Sequence, residues 1–197
     1  MPVEFIHKFI PGKSPTAVLL LHGSGGDEND LLPVARAVAP GAALLSPRGT
    51  VVDQGLTRFF KLDASDARER ATELAEWITA TAKQYQLNPA RLYALGYSNG
   101  ANMAAALMLL HPGAIAGACL LRTRAVLQPE VVPALAGAPV LISAGQHDHL
   151  IPSEQGEALA ELLTKAGARV DLAIQNAGHE LTPADFSLAK QWFSRLG

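Results

Sequence analysis

Very little in this sequence suits a membrane, a nucleic acid or an oxidising compartment. It has one cysteine, Cys119, so no disulfide can close within the chain. Sixteen Lys and Arg face eighteen Asp and Glu, a net charge of −2, and they form no basic run or stripe. Nucleic acid is therefore not an expected partner. A membrane helix needs about 20 consecutive apolar residues. Val18–Leu21 is far shorter than that, and the Ala-rich stretch Ala101–Leu110 also falls short. The opening Met1-Pro-Val-Glu-Phe-Ile-His-Lys-Phe9 lacks the basic region, apolar core and small-residue cleavage site of a secretory leader. A cytoplasmic chain without stable membrane association is the expectation.

What is present is a sequence that can bury a core. Of 197 residues, 49% are apolar and 17% charged, which suits one globular domain spanning 1–197. Val18–Leu21, Ala42–Leu45, Arg91–Leu95, Ala114–Leu121 and Val140–Ala144 are continuous apolar runs, the pattern of strands covered on both faces. Val170–Ile174 reads as a further strand, and Phe5–Ile10 as an antiparallel edge strand. Between them lie helical stripes. Asp66 with Glu69 resembles a capping box before Ala67, Ala71, Leu74, Ala75, Ile78 and Ala82. Ser153 reads as the cap of a helix ending at Gly167, and Thr182-Pro183-Ala184-Asp185 as the start of the last one. Strands alternating with helices at this spacing predict an α/β fold: a mostly parallel sheet with helices on both faces and no cap domain.

Arg91-Leu-Tyr-Ala-Leu-Gly96-Tyr97-Ser98-Asn99-Gly100-Ala101 reads as strand, Gly-x-Ser-x-Gly, then helix. A serine hydroxyl is a poor nucleophile until it is exposed and held against a base. A sharp strand-to-helix turn supplies the exposure, small residues on either side let the backbone cross tightly, and the helix N-terminus favours developing negative charge. The motif alone is common, and its ordinary alternative is a plain βα turn. Here the required strand and helix flank it, and Ser98 is the candidate nucleophile.

Upstream, Leu21-His22-Gly23-Ser24-Gly25-Gly26-Asp27 sets a glycine-rich turn after an early strand, where backbone N–H groups can face an oxyanion. The N–H of Asn99 is one candidate donor and that of Ser24 the second, with Gly25 as the alternative. A phosphate loop is disfavoured because no Gly-Lys-Ser/Thr follows. His22 reads as structural, bonding within its loop.

In an α/β-hydrolase the triad runs serine, acid, histidine in chain order. Asp148 lies just beyond the apolar run Val140–Ala144, at the strand end where catalytic groups gather; Asp171 sits at the start of its strand, the opposite end. His179, in Asn176-Ala-Gly178-His179-Glu180-Leu181, falls between the last strand and the last helix and is the expected base. His111 reads as a helix-end residue. Adjacent His147, Asp148 and His149 should diverge rather than converge on one ion, so no metal site is expected.

With these residues assembled, the chain resembles the phospholipase/carboxylesterase branch of the α/β-hydrolases, which also contains the acyl-protein thioesterases. The resemblance rests on His-Gly-Ser-Gly-Gly-Asp-Glu-Asn-Asp at 22–30, Gly-Tyr-Ser-Asn-Gly-Ala-Asn at 96–102, Gly-Gln-His-Asp at 145–148 and Gly-His-Glu-Leu at 178–181. Ser46-Pro-Arg-Gly49 and Arg58-Phe-Phe60 are similar to a bacterial carboxylesterase subgroup. The resemblance implies a minimal hydrolase with an open cleft, esterase activity on a small-molecule ester and no cofactor. Ser98, Asp148 and His179 match its triad one by one. The elbow departs from the Gly-Phe-Ser-Gln-Gly that acyl-protein thioesterases favour, which speaks against a protein or long-chain lipid substrate. Lysophospholipids and acyl-protein thioesters are the alternative substrates, and a ligand-binding homologue without activity is the non-enzyme alternative.

Residues just past strand ends should line the cleft. Phe59, Phe60, Leu150 and Ile151 are the expected walls for a modest acyl or aryl group, and Arg122 is the candidate for pairing with a carboxylate or polar head group. Loop packing is the competing role for the phenylalanines, and a solvated strand-end arginine the competing role for Arg122. A homodimer through an exposed helix or strand edge is compatible with the pattern.

Overall fold

The computed structural model describes residues 3–196; Met1, Pro2 and Gly197, the ends of the expected domain, lie outside them. Seven strands form one sheet: β1 (His7–Ile10), β2 (Ala17–Leu21), β3 (Ala43–Pro47), β6 (Leu92–Tyr97), β7 (Gly117–Leu121), β8 (Pro139–Gly145) and β9 (Arg169–Gln175). Their spatial order is β1-β3-β2-β6-β7-β8-β9. β1 runs antiparallel to β3, and every other pairing is parallel.

Among the described residues five α-helices cover the two faces: α1 (Leu32–Val38), α2 (Ala64–Gln84), α3 (Asn99–Leu110), α4 (Ser153–Lys165) and α5 (Pro183–Ser194). Alternate strand residues feed two cores. Leu19, Leu21, Leu45, Ala94, Leu120 and Ile142 pack with α2, α3 and α4, whereas Val18, Leu20, Leu44, Leu95, Cys119 and Leu141 pack with α1 and α5. The continuous apolar runs follow from this, since both faces of the inner strands β2, β3, β6, β7 and β8 are buried. Apolar burial is also why α3, inside the first core, is buried from Asn99 through Leu109. Burial pushes the Cys119 thiol well above its usual range, which leaves it unreactive.

From β2 the chain steps outward to β3, beside the edge strand β1, then crosses to β6 and continues to the other edge. The order therefore reverses between β2 and β6, and such a switch point opens a crevice beyond the strands' carboxyl ends. Among the described residues no helix is long and apolar enough to cross a membrane.

Local readings fail in informative places. The cap of α2 is Asp63, whose side chain accepts the Asp66 N–H at 2.9 Å, rather than Asp66 itself. Asp66 instead accepts the Lys61 N–H at 2.6 Å and pairs with Arg70. Ser153 is the first helical residue of α4 and Pro152 its cap. β7 begins only at Gly117, because 111–116 turn after α3. The hairpin β4 (Val51–Asp53) and β5 (Leu56–Arg58) and the helix α1 carry no strong pattern in sequence. The hairpin's two-residue turn puts Gln54 and Gly55 both at positive φ, 50° and 78°, the geometry that suits a twisted ribbon.

Candidate active site

The crevice holds the elbow. Ser98 sits between β6 and α3 with φ 52° and ψ −115°, a strained backbone for any residue with a side chain. Two glycines make that turn possible. A Cβ on Gly100 would lie 2.0 Å from the Leu21 carbonyl oxygen, and one on Gly96 2.6 Å from Ala101 Cα. The crossing is fixed by the Ser98 N–H donating to Leu121 O at 2.9 Å and the Asn102 N–H donating to Ser98 O at 2.9 Å.

Ser98, His179 and Asp148 come together from the ends of β6, β9 and β8. His179 Nε2 lies 3.0 Å from Ser98 Oγ, and His179 Nδ1 lies 2.7 Å from Asp148 Oδ2. The other carboxylate oxygen, Asp148 Oδ1, accepts the N–H groups of Leu150 and Ile151, both at 2.8 Å. Burial on its own would push the Asp148 carboxyl up. The Ile151 and Leu150 N–H groups and His179 outweigh burial and hold it below the usual carboxylate range. Tyr97 OH donates to the His179 carbonyl at 3.1 Å, bracing the loop that carries the imidazole.

The oxyanion candidates sort themselves by hydrogen bonding. Gly25 N–H is already committed to Thr57 O at 2.8 Å, which removes it as the alternative donor. Ser24 lines the cleft beside Ser98, and its N–H takes no protein acceptor among the described residues. Asn99 opens α3, where the first N–H groups have no intrahelical acceptor. His22 is structural. Its Nδ1–H donates to Gly23 O at 2.7 Å and its Nε2 accepts the Gly49 N–H at 2.9 Å. Burial lowers its pKa, consistent with the neutral tautomer those two bonds require.

Three expected cleft residues lie elsewhere. Phe59 and Phe60 are core side chains, 2% and 0% exposed. The Asn99 side chain turns their backbone inward: its Oδ1 accepts the Phe59 N–H at 2.8 Å and its Nδ2 donates to Phe60 O at 3.1 Å. Arg122 is 1% exposed and does not line this cleft. Its guanidinium donates to Asp185 Oδ1 at 2.8 Å and Oδ2 at 2.9 Å, to Gly178 O at 2.8 Å and to Glu180 O at 3.0 Å. The fork that looked ready for a substrate carboxylate is filled by the protein's own. Leu150 and Ile151 do line the cleft, Leu150 at 71% exposure.

The cleft measures about 390 Å³, and its walls include several residues not anticipated from sequence: Leu56, Arg58, Leu62, Tyr97, Asn102 and Arg124. Arg58 and Leu56 enter on the unforeseen β4–β5 hairpin. Arg124 was within sight, two residues beyond Arg122, but nothing in the sequence separates the buried arginine from the cleft-lining one. His147 bonds Asn176 Oδ1 through Nε2 at 2.9 Å, so it turns away from the Asp148–His179 contact.

Asp185 resembles Asp148 in its electrostatics. Burial would raise its carboxyl, but bonds from Arg122, Ser143 and Thr182 together hold it below the usual range. Both acids bind protons more readily in the unfolded chain, so each stabilises the fold above about pH 4, the ordinary carboxylate value. That contribution is lost as pH falls through the lower folded-state values. Thermal melts should give a Tm that falls as the pH is taken below about 4; a level Tm there would contradict the assignment.

The sequence model of the family described as Phospholipase/Carboxylesterase matches residues 10–196. MhqD of Bacillus subtilis (strain 168), described as a hydrolase, is 38% identical over 193 residues, covering 95% of this chain and 96% of its own. The crystal structure of the Bacillus cereus carboxylesterase superposes with a TM-score of 0.94 at 37% identity, over 98% of this chain and 95% of that one. A carboxylesterase from Mesorhizobium loti gives a TM-score of 0.89 at 36% identity, over 96% of this chain and 94% of that one.

Proposed function

The chain belongs to the phospholipase/carboxylesterase family, and on that premise we propose that it is a serine carboxylesterase hydrolysing small carboxylic esters through an acyl-enzyme. The observation that carries the reading is the unbroken hydrogen-bonded line from Ser98 Oγ through His179 to Asp148, at 3.0 and 2.7 Å. Ser98 attacks the ester carbonyl while neutral His179 takes its proton at Nε2. The negative charge that develops on the carbonyl oxygen meets the N–H groups of Asn99 and Ser24, at the positive end of α3. As the tetrahedral species collapses, His179 returns the proton to the departing alcohol. A water molecule then repeats the sequence in reverse and frees the acid. Asp148 keeps the proton on Nδ1 and balances the imidazolium formed in each half.

The 390 Å³ cleft, with Leu56, Leu62, Leu150 and Ile151 among its walls, suits a modest ester better than a long acyl chain. Mass spectrometry of the intact protein after treatment with a fluorophosphonate tests the proposal. Wild type should gain a single adduct that maps to Ser98, and Ser98→Ala should gain none. A folded wild type that takes up no adduct would return the chain to the ligand-binding, non-enzymatic reading.

A further inference from the structure

The cleft around Ser98 holds two arginines and no carboxylate. Arg58 and Arg124 both line it, and among the described residues no Asp or Glu does. We infer that the ester this site takes carries an anionic group, a carboxylate or a phosphate, which Arg58 and Arg124 clasp while Ser98 attacks. The inference rests on the esterase reading and names its substrate class.

Arg58 is the more deeply buried of the two. The residue is 8% exposed, yet its Nε is a buried donor without a hydrogen-bond acceptor. A guanidinium taken out of water without partners is costly, so such an orphan needs an explanation. Asp53, across the hairpin, is its nearest carboxylate at 3.6 Å, close enough to attract but too far to accept that proton. Arg58 also lines the cleft, where the outer donors of its fork can meet an anion. Arg124 is half-buried, and its guanidinium forms no ion pair or hydrogen bond among the described residues. By contrast, the guanidinium of buried Arg122, two residues before Arg124, is paired with Asp185.

The elbow helix also fixes the backbone at both arginines. Asn99 Oδ1 fixes the Phe59 N–H, immediately after Arg58, at 2.8 Å. Asn102 Oδ1 fixes the Arg124 N–H itself at 2.8 Å. The helix that presents Ser98 thus anchors the backbone at both arginines. Charges placed in advance on a partly dry wall bind an anion without a large ordering cost, and they raise its local concentration as it approaches.

Two matched pairs of esters test this. One pair is 4-nitrophenyl pentanoate and the mono-4-nitrophenyl ester of glutaric acid, which carries a carboxylate at the end of the acyl chain. The other is 1-butyrylglycerol and its 3-phosphate, which places the anion on the leaving alcohol. Wild type should prefer the charged member of one pair, and that pair identifies the source of the anion. In Arg124→Gln and in Arg58→Gln the charged-to-neutral ratio of kcat/KM should fall about 10-fold, the usual scale for losing one charge-assisted hydrogen bond. Arg124→Lys, which keeps the charge, should recover part of it. Calorimetric titration of Ser98→Ala with glutarate and with glycerol 3-phosphate separates failure of this inference from failure of the esterase reading. Binding of either anion that Arg124→Gln weakens upholds the anion site even if no ester is hydrolysed. A ratio that neither substitution moves, or neutral esters preferred in both pairs with neither anion bound, overturns it.

Discussion

Asp148→Asn should lower kcat by about 10³–10⁴-fold while leaving KM and the fold nearly unchanged, because it reverses the tautomer of His179. Two backbone donors dictate how the new amide sits. The N–H groups of Leu150 and Ile151 both point at Asp148 Oδ1, at 2.8 Å, and a donor cannot face a donor. In the variant the amide oxygen must take that position, which forces the NH₂ toward His179 Nδ1. An amide NH₂ needs an acceptor there, so the imidazole gives up its proton at Nδ1 and carries it on Nε2 instead. Nε2 then points a hydrogen at Ser98 Oγ, 3.0 Å away, and can no longer accept the serine's proton. Substrate contacts in the cleft are untouched, which is why the loss falls on kcat. Steady-state kinetics on a 4-nitrophenyl ester, with circular dichroism as the check on folding, decide it. A variant within about 10-fold of wild type would remove Asp148 from the orienting role, since that is far less than a reversed tautomer costs.

What could be read from the sequence shares one property: it is encoded within a few consecutive residues. The elbow is a single stretch, Gly96–Gly100, whose glycines announce a close crossing before the neighbour is known. Asp148 and His179 each follow an apolar run, so their place beyond a strand end needs only local reading. The buried strands were legible for the same reason, with boundaries shifted by one to three residues. What could not be read depends on a partner far away in the chain. Phe59 and Phe60 look like cleft aromatics until Asn99, 40 residues on, fixes the first of them by its backbone. Arg122 and Arg124 are indistinguishable by spacing. The first turns inward because Asp185, 63 residues later, waits in the core, and because its own backbone takes a positive φ of 56°. The β4–β5 hairpin escaped because strands of three residues leave no periodicity to detect.

That buried pair supports the second large effect. Asp185→Ala should destabilise the protein by about 3–5 kcal/mol, since it leaves the Arg122 charge buried without its partner. For a chain of this length the corresponding fall in Tm is on the order of 10 °C. Arg122 and Asp185 side chains are both fully buried. Asp185 also accepts from Ser143 Oγ at 2.6 Å, from the Thr182 N–H at 2.7 Å and from Thr182 Oγ1 at 2.9 Å, so its loss strands several donors at once. Activity should fall further than stability alone explains. Arg122 holds the carbonyls of Gly178 and Glu180, the residues on either side of His179. Released from that grip, the imidazole spends less time within reach of Ser98. The double variant Arg122→Met/Asp185→Leu separates the two contributions. Replacing a buried ion pair with apolar side chains of similar size is often neutral for stability, so its Tm should recover most of the loss. Its kcat should not recover, because methionine offers the two carbonyls no donor. If kcat and Tm return together, Arg122 serves the core alone and the His179 loop is held by Tyr97 and its own backbone.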